Sequence, residues 1–202
     1  MPAIKVITPI IGGRFYHLFN RGINNQQVFF TDSNYHYFLS LLNKYLSNYC
    51  QFLSYCLIPN HFHLVIRINE SIQLKEQVIS DQEEIGKIFV NQLRSLLITY
   101  TMAINNQQKR TGAMFDARYK RLSIESEEYL KYLLFYCHYN PEKHEIVKNF
   151  RNYKFSSYNA FLSVKPTNIH KAYVLELFGD KNEFIDYHQT VHTERKLLIL
   201  EE

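Results

Sequence analysis

The sequence predicts an α+β protein built on a ferredoxin-like antiparallel sheet, with helices covering one face of that sheet. Short aromatic and β-branched runs alternate with amphipathic stretches in the order strand, helix, strand, strand, helix, strand, helix. The first six of these elements form the split βαβ pattern, βαββαβ. The chain has 202 residues, of which 46% are hydrophobic, so it is long enough to bury the core of one such domain.

The predicted strands are the short runs that are rich in aromatic and β-branched residues. The first covers residues 14–20 (RFYHLFN). Residues 50–58 (CQFLSYCLI) and 61–68 (HFHLVIRI) flank Pro59-Asn60, a pair typical of turns, so we expect a hairpin there. Residues 122–124 are expected to form an edge strand.

Two helices are predicted where apolar residues recur every three or four positions. The first begins at Asp32 and Ser33, which can cap it, and the second runs from about Lys87 to Asn105. The polar, Gln- and Glu-rich residues 69–85 are predicted to form a loop that ends at Gly86. The apolar face of the first helix comprises Phe38, Leu41, Leu42, Tyr45 and Leu46.

A third helix is predicted directly after the last strand. It begins at Ser126, a good helix cap, with Glu127 and Glu128 in its first turn. We expect it to end at Asn140, because Pro141 follows and the residue before a proline disfavours the helical conformation.

Composition excludes several classes of protein. The formal charge of +4 and the isoelectric point of about 8.8 permit a nucleic-acid partner without requiring one. No apolar run reaches the roughly 18 residues of a membrane span, and Met1 to Gly13 lacks the apolar core and cleavage site of a signal peptide. Cys50, Cys56 and Cys137 fit neither a zinc motif nor a disulfide framework, so we expect buried free thiols in a cytoplasmic protein.

The sharpest local pattern is His61-Phe62-His63 within a predicted strand. Side chains alternate between the faces of a strand, so both imidazoles point the same way, with Cα atoms about 6.5 to 7 Å apart. Two imidazole nitrogens at this spacing can bind one cation, while Phe62 enters the core. The same pattern also occurs in histidines that are structural or simply solvated, and that alternative stays open here.

The third helix carries a series of tyrosines. Tyr136 and Asn140 are four residues apart and share a helix face. Asn140 offers a neutral oxygen ligand, and Tyr136 offers a phenol that becomes a nucleophile once it is deprotonated. The alternative is ordinary core packing, and the helix alone does not decide which tyrosine reacts, or whether any does. The tyrosines of this helix are Tyr129, Tyr132, Tyr136 and Tyr139.

Basic residues cluster between residues 107 and 121, where five cations accompany the single acid Asp116. Such clusters contact phosphates in nucleic-acid-binding proteins, and nearby Tyr or Phe side chains can stack unpaired bases. The alternative is a solvated charged rim. The candidate phosphate contacts are Arg21, Arg118, Lys120 and Arg121.

Four strings in this order resemble single-tyrosine transposases of the HUH superfamily, closest to the REP-associated tyrosine transposase branch. HUH stands for His, hydrophobic, His. The resemblance extends over about Arg14 to Leu162, so we expect a catalytic domain at 1–165 and a helical extension at 166–202, with helix at about 170–178 and again after Gly179. The four strings are residues 15–22 (FYHLFNRG), 57–64 (LIPNHFHL), 115–120 (FDARYK) and 136–141 (YCHYNP).

The resemblance implies a metal-dependent enzyme that cleaves and rejoins single-stranded DNA. His61 and His63 would hold one divalent cation, Mg²⁺ or Mn²⁺, with Asn140 as third ligand, and Tyr136 would attack the scissile phosphate to leave a 5′-phosphotyrosine. The implied partner is single-stranded or hairpin DNA, and a homodimer is an open option. Two alternatives remain: a domesticated DNA-binding protein of the same fold that no longer cuts, and a phosphodiesterase that hydrolyses.

The chain departs from the branch at two places. Asp116-Ala117 stands where the family often has Gln and Gly, and Glu142-Lys143 where it commonly has Val-Arg. His138 lies off the face of the proposed nucleophile and is left out of the metal ligands. Whether His17 and Asn20, in the first-strand motif, contact DNA is left open.

Overall fold

The computed structural model describes the backbone of residues 8–200 and the side chains of residues 8–195. Residues 1–7, part of the segment considered as a leader, lie outside the described residues. Short 3₁₀ turns occur at Ile23–Asn25 and Phe150–Asn152. The strands are β1 (Phe15–Arg21), β2 (Cys50–Ile58), β3 (His61–Ile68), β4 (Ile72–Leu74), β5 (Gln77–Ile79) and β6 (Lys120–Ile124). The helices are α1 (Asp32–Leu46), α2 (Gln82–Gln107), α3 (Glu127–Lys143), α4 (Tyr158–Leu162), α5 (Lys171–Phe178) and α6 (Lys181–Leu200).

The main sheet has four strands in the order β2-β3-β1-β6, and every neighbouring pair is antiparallel. This is the strand order of a ferredoxin-like sheet, so the predicted fold class is confirmed. The hairpin around Pro59-Asn60 is confirmed residue for residue. The edge strand β6 is also confirmed, and it starts two residues before the predicted Leu122, at Lys120.

The two faces of the sheet carry different helices. Phe62 of β3 packs against Phe38 of α1, with ring centroids 5.1 Å apart, and Phe38 packs against Tyr100 of α2 at 5.0 Å. Helix α3 lies on the opposite face, where the Tyr136 ring is 6.0 Å from the His63 ring. Because neighbouring residues of a strand point to opposite faces, Phe62 enters the core while the flanking histidines face α3.

The prediction that residues 69–85 form a loop ending at Gly86 is wrong. The segment contains the small hairpin of β4 and β5, and α2 begins at Gln82 with Asp81 as its cap, whose side chain accepts from the Glu84 N–H at 2.7 Å. Gly86 lies inside α2 because the chain passes very close to it: a Cβ atom there would lie 1.8 Å from the carbonyl oxygen of Ile10. This glycine marks a tertiary contact and not the end of a loop.

The predicted start of α3 at Ser126 is confirmed, since its side chain accepts from the Tyr129 N–H. The predicted end at Asn140 is wrong, because α3 continues through Pro141 to Lys143. Proline has no N–H to donate, yet the backbone hydrogen bonds resume after it: His144 N–H donates to the Asn140 carbonyl at 3.0 Å. The helix therefore continues for three residues beyond Asn140.

The C-terminal helices pack against α3. The predicted helix at 170–178 is α5, and the helix expected after Gly179 is α6. His188 of α6 shares a 3.0 Å hydrogen bond with His138 of α3, and His192 shares one of 2.8 Å with Glu142. The division into units at residue 165 stays a prediction.

Two further expectations concern the described part of the chain as a whole. Within it, no helix is both long and apolar enough to cross a membrane. The three cysteines are free and buried, as predicted.

Candidate active site

The candidate site is a cleft where the end of β1, the start of β3 and the start of β6 face the second half of α3. It brings together six of the residues singled out from the sequence: His61, His63, Tyr136, Arg21, Arg118 and Lys120. The remaining lining residues are Phe19, Asn20, Asp116, Lys143 and His144.

The two histidines of β3 both use ring nitrogen Nδ1 for a hydrogen bond within the protein. His61 Nδ1 shares a 2.7 Å hydrogen bond with Asn60 Oδ1, and His63 Nδ1 shares one of 2.9 Å with His17 Nε2. The ring centroids of His61 and His63 are 5.0 Å apart. With both Nδ1 atoms engaged, Nε2 is the atom that each ring offers to a ligand.

The site keeps these imidazoles neutral. Burial lowers the pKa of His61 to about 3, assisted by the nearby His144 and Arg21 and opposed by the Asn140 side chain. Burial also holds the pKa of His63 well below its ordinary value, and His17 and His61 add to the effect. Burial lowers the pKa of His17 to about 4. Neutral imidazole is the form that binds metals.

Asn140 lies beneath the cleft, fully buried on α3. Its Nδ2 donates to the Tyr136 carbonyl at 2.7 Å. Its Oδ1 has no hydrogen-bond partner among the described residues, although the side chain interacts with His61. A buried acceptor without a donor costs stability. The position of this oxygen beside the His61 ring is therefore unfavourable unless a ligand binds there.

Together, two imidazoles and one amide oxygen suit a divalent cation that accepts nitrogen and oxygen ligands. Within residues 8–195, no group of three or more His, Cys, Asp or Glu side chains is placed to hold a metal. The Asn140 Oδ1, which has no hydrogen-bond partner among the described residues, is an oxygen that could serve as a ligand beside the two imidazoles, so the residues present fit such an ion.

Tyr136 is half-buried, and its ring lines the cleft. Its hydroxyl accepts a hydrogen bond from Lys143 Nζ at 2.9 Å, and the same ammonium lies 4.7 Å from the ring centroid. The ring stands edge-on to His17 and His63, with centroids 6.3 and 6.0 Å away. Of the tyrosines on α3, Tyr136 is the one that lines this cleft.

Three of the four candidate phosphate contacts line the cleft, and the fourth lies outside it. Arg21, Arg118 and Lys120 are exposed and line the cleft. Arg121 does not line it, because it follows Lys120 in β6 and so points to the other face. Its guanidinium donates to the Tyr119 hydroxyl at 3.1 Å.

Sequence reasoning missed the roles of three cleft neighbours. Lys143 had a readable signal, since it lies seven residues after Tyr136, two turns along the same helix face. The first-strand motif suggests only a DNA contact for His17, and its pairing with His63, 46 residues away, has no local signal. His144, whose ring centroid lies 4.8 Å from that of His61, reaches the cleft only because α3 continues past Pro141.

The second departure from the transposase branch has a structural explanation. Glu142 accepts from the Phe150 N–H at 3.0 Å and contacts His192 at 2.8 Å, so it fastens α6 and the following turn to α3. Its neighbour Lys143 contacts the candidate nucleophile. Both residues of this pair thus have defined partners near the cleft.

Fold and cleft together define a class: a ferredoxin-like sheet with a His-x-His strand that faces a tyrosine-bearing helix. No protein-family model and no curated protein sequence matches the chain. Among solved structures, the chain is similar to a REP-associated tyrosine transposase bound to a REP hairpin, with a TM-score of 0.55 and 16% identity over 79% of this chain and 86% of that one. At this identity the likeness concerns the fold, and it confirms the fold of the resembled branch.

Proposed function

We propose that this protein is a transposase-like enzyme that cleaves and rejoins single-stranded DNA through Tyr136. The observation that carries the proposal is the shared cleft of Tyr136, His61 and His63, together with the buried Oδ1 of Asn140, which has no hydrogen-bond partner among the described residues. Tyr136 and the two neutral imidazoles line one basic cleft, and the Asn140 side chain, which does not line it, interacts with His61.

His61 and His63, through Nε2, and Asn140, through Oδ1, would hold one divalent cation, Mg²⁺ or Mn²⁺. When bound, such an ion polarises a phosphate and neutralises the charge that develops on its oxygens. Imidazole ligands favour Mn²⁺ over Mg²⁺. The low pKa of His61, about 3, keeps its ring neutral throughout the neutral range, and the Asn60 carbonyl oxygen at Nδ1 favours the tautomer whose Nε2 carries a lone pair.

The reaction that fits Tyr136 is an in-line phosphoryl transfer. The Tyr136 oxygen forms a bond to phosphorus while the bond from phosphorus to the 3′ oxygen of the preceding nucleotide breaks. The phenolic proton is lost and the departing 3′ oxygen gains one, so the step is balanced without a co-reactant. Since the product is a phosphodiester of tyrosine, attack by another 3′-OH rejoins DNA without ATP.

Charged residues at the rim would position the strand. Arg21, Arg118 and Lys120 are exposed around the cleft and can contact phosphates on either side of the scissile bond. Lys143 holds the Tyr136 hydroxyl at 2.9 Å and is placed to stabilise negative charge on its oxygen. We propose single-stranded or hairpin DNA as the substrate, in keeping with the hairpin bound by the structure of similar fold.

The test is formation of a covalent protein–DNA adduct with a hairpin-bearing single-stranded oligonucleotide and Mn²⁺ or Mg²⁺. We expect an adduct that survives denaturing electrophoresis with the wild-type protein and none with Tyr136→Phe. Tyr132→Phe is the matched control, because Tyr132 lies one turn earlier on α3 and stacks on Tyr136 at 6.3 Å. Adduct formation by Tyr136→Phe would show that another residue is the nucleophile.

The same assay separates the two alternatives. DNA binding without an adduct in either metal would indicate a protein that no longer cuts. A free 5′-phosphate product without an adduct would indicate hydrolysis.

A further inference from the structure

We propose that His17 is a positioning residue that accepts the Nδ1 proton of His63 and so stabilises the tautomer of His63 that can bind a cation. The inference rests on the cation site of the proposed function and adds a residue to it. The observation is the 2.9 Å hydrogen bond between His17 Nε2 and His63 Nδ1, made by two side chains that are 3% and 5% exposed.

The bond contains one proton, and its position decides what His63 can do. If His17 donates, Nδ1 of His63 is the acceptor, the proton of neutral His63 sits on Nε2, and that atom cannot bind a cation. If His63 donates from Nδ1, its Nε2 carries a lone pair and can bind. Neutral His17 is therefore needed as the acceptor when a cation is bound.

The packing around the pair favours a fixed geometry. His17 and Phe19 are on β1, and Phe19 is directly opposite His63 across the β1–β3 ladder. The Phe19 ring stacks on both imidazoles, with centroids 4.9 Å from His17 and 5.4 Å from His63. A ring held on its face by Phe19 and at its Nδ1 by His17 has little freedom to turn Nε2 out of the cleft.

The second ring nitrogen of His17, Nδ1, does not determine where the shared proton lies. His17 Nδ1 is buried and has no hydrogen-bond partner among the described residues. Whether His17 or His63 donates the shared proton, His17 Nδ1 has no partner among the described residues. No described group therefore favours one tautomer of His17 over the other. Cation binding at His63 is then the event that selects it, and His17 supplies the acceptor that this selection requires.

The experiment compares Mn²⁺ affinity, measured by calorimetry on the full chain without DNA, for wild type, His17→Phe and His17→Gln. Phe keeps a planar ring but has no acceptor, whereas the Gln carbonyl can accept from His63 Nδ1. We expect His17→Phe to bind Mn²⁺ about 10- to 100-fold more weakly and His17→Gln to recover most of the affinity. The exposed His36 provides the matched control, His36→Phe.

Nitrogen-15 NMR of the Mg²⁺-loaded protein gives a readout that does not depend on activity. At an Mg²⁺ concentration that saturates wild type, we expect its His63 to carry the proton on Nδ1. Part of the weaker-binding His17→Phe, whose folding is checked by thermal melting, should stay unloaded at that concentration, so its His63 should populate a mixture of tautomers. Equal Mn²⁺ affinity of wild type and His17→Phe would overturn the role of His17 and leave the proposed cation site standing. If wild type bound neither Mn²⁺ nor Mg²⁺, the proposed cation site would fail, and the role of His17 with it.

Discussion

The Lys143 ammonium donates a 2.9 Å hydrogen bond to the Tyr136 hydroxyl from two turns further along the same helix. The helix reaches Lys143 because it continues through Pro141. Its neighbour Glu142 faces α6 instead, in contact with His192 at 2.8 Å. At the end of α3, the Lys143 ammonium therefore contacts the candidate nucleophile, and Glu142 contacts the C-terminal helix α6.

We expect Lys143→Met to slow single-turnover adduct formation by about 10- to 100-fold, because a cation beside the attacking oxygen stabilises its negative charge. Lys143→Arg is expected to retain most of the rate. Lys148→Met, at an exposed position beyond the helix, is the control. An unchanged rate in Lys143→Met would mean that the contact with Tyr136 has no part in the chemistry.

Asn140→Leu is expected to abolish the rise in melting temperature that Mn²⁺ produces in the wild-type protein, since a cation stabilises only the state that binds it. Without metal, we expect the stability of the variant to stay within about 1 kcal/mol of wild type, because the lost bond to Tyr136 is offset by removing a buried acceptor that has no hydrogen-bond partner among the described residues. Calorimetric melting with and without Mn²⁺ measures both. Exposed Asn106→Leu should respond to Mn²⁺ as wild type does, and an undiminished response in Asn140→Leu would exclude Asn140 as a ligand.

Acid is expected to destabilise the protein through the buried histidines that join α3 and α6. Burial lowers the pKa of His188 to about 3 and holds that of His138 well below its ordinary value, with His138 and Arg151 as the neighbouring basic groups of His188. The unfolded chain, with histidine pKa near 6.5, then takes up more protons than the folded one. Stability is complete above about pH 6.5 and falls as the pH drops toward 3.

The measurement is the urea unfolding free energy between pH 8 and pH 5, in the absence of divalent metal. Each such histidine contributes a slope of at most about 1.4 kcal/mol per pH unit. His188→Phe should lower the acid slope, while Asn106→Leu, at an exposed position without a titratable group, should leave it unchanged. A slope that His188→Phe does not alter would place the acid sensitivity elsewhere.

Substitutions in the basic rim are expected to weaken binding of single-stranded DNA. Arg118→Ala and Lys120→Ala each remove one phosphate contact, so the logarithmic salt dependence should fall by about 0.7 per substitution. Arg121→Ala is expected to have a smaller effect, because that side chain contacts Tyr119 outside the cleft. Fluorescence anisotropy over a range of salt concentrations measures these slopes, and equal effects of all three would argue against the cleft as the DNA path.

Local patterns were sufficient for most of the fold. The hairpin of β2 and β3, the cap at Ser126 and the two C-terminal helices were predictable because alternation, turn residues and caps act over a few residues. One error arose where a distant segment decided the outcome. Gly86 is predicted to end the loop before α2, whereas the close approach of Ile10 requires a glycine within α2.

The sequence by itself determined the order of the elements, the common face of His61 and His63, and the common helix face of Tyr136 and Asn140, since these follow from the periods of strand and helix. Only the tertiary structure decided that the two faces meet in one cleft, and that His17, 46 residues before His63, holds its ring. Such contacts depend on how the sheet and helices pack, and packing joins residues that share no local pattern.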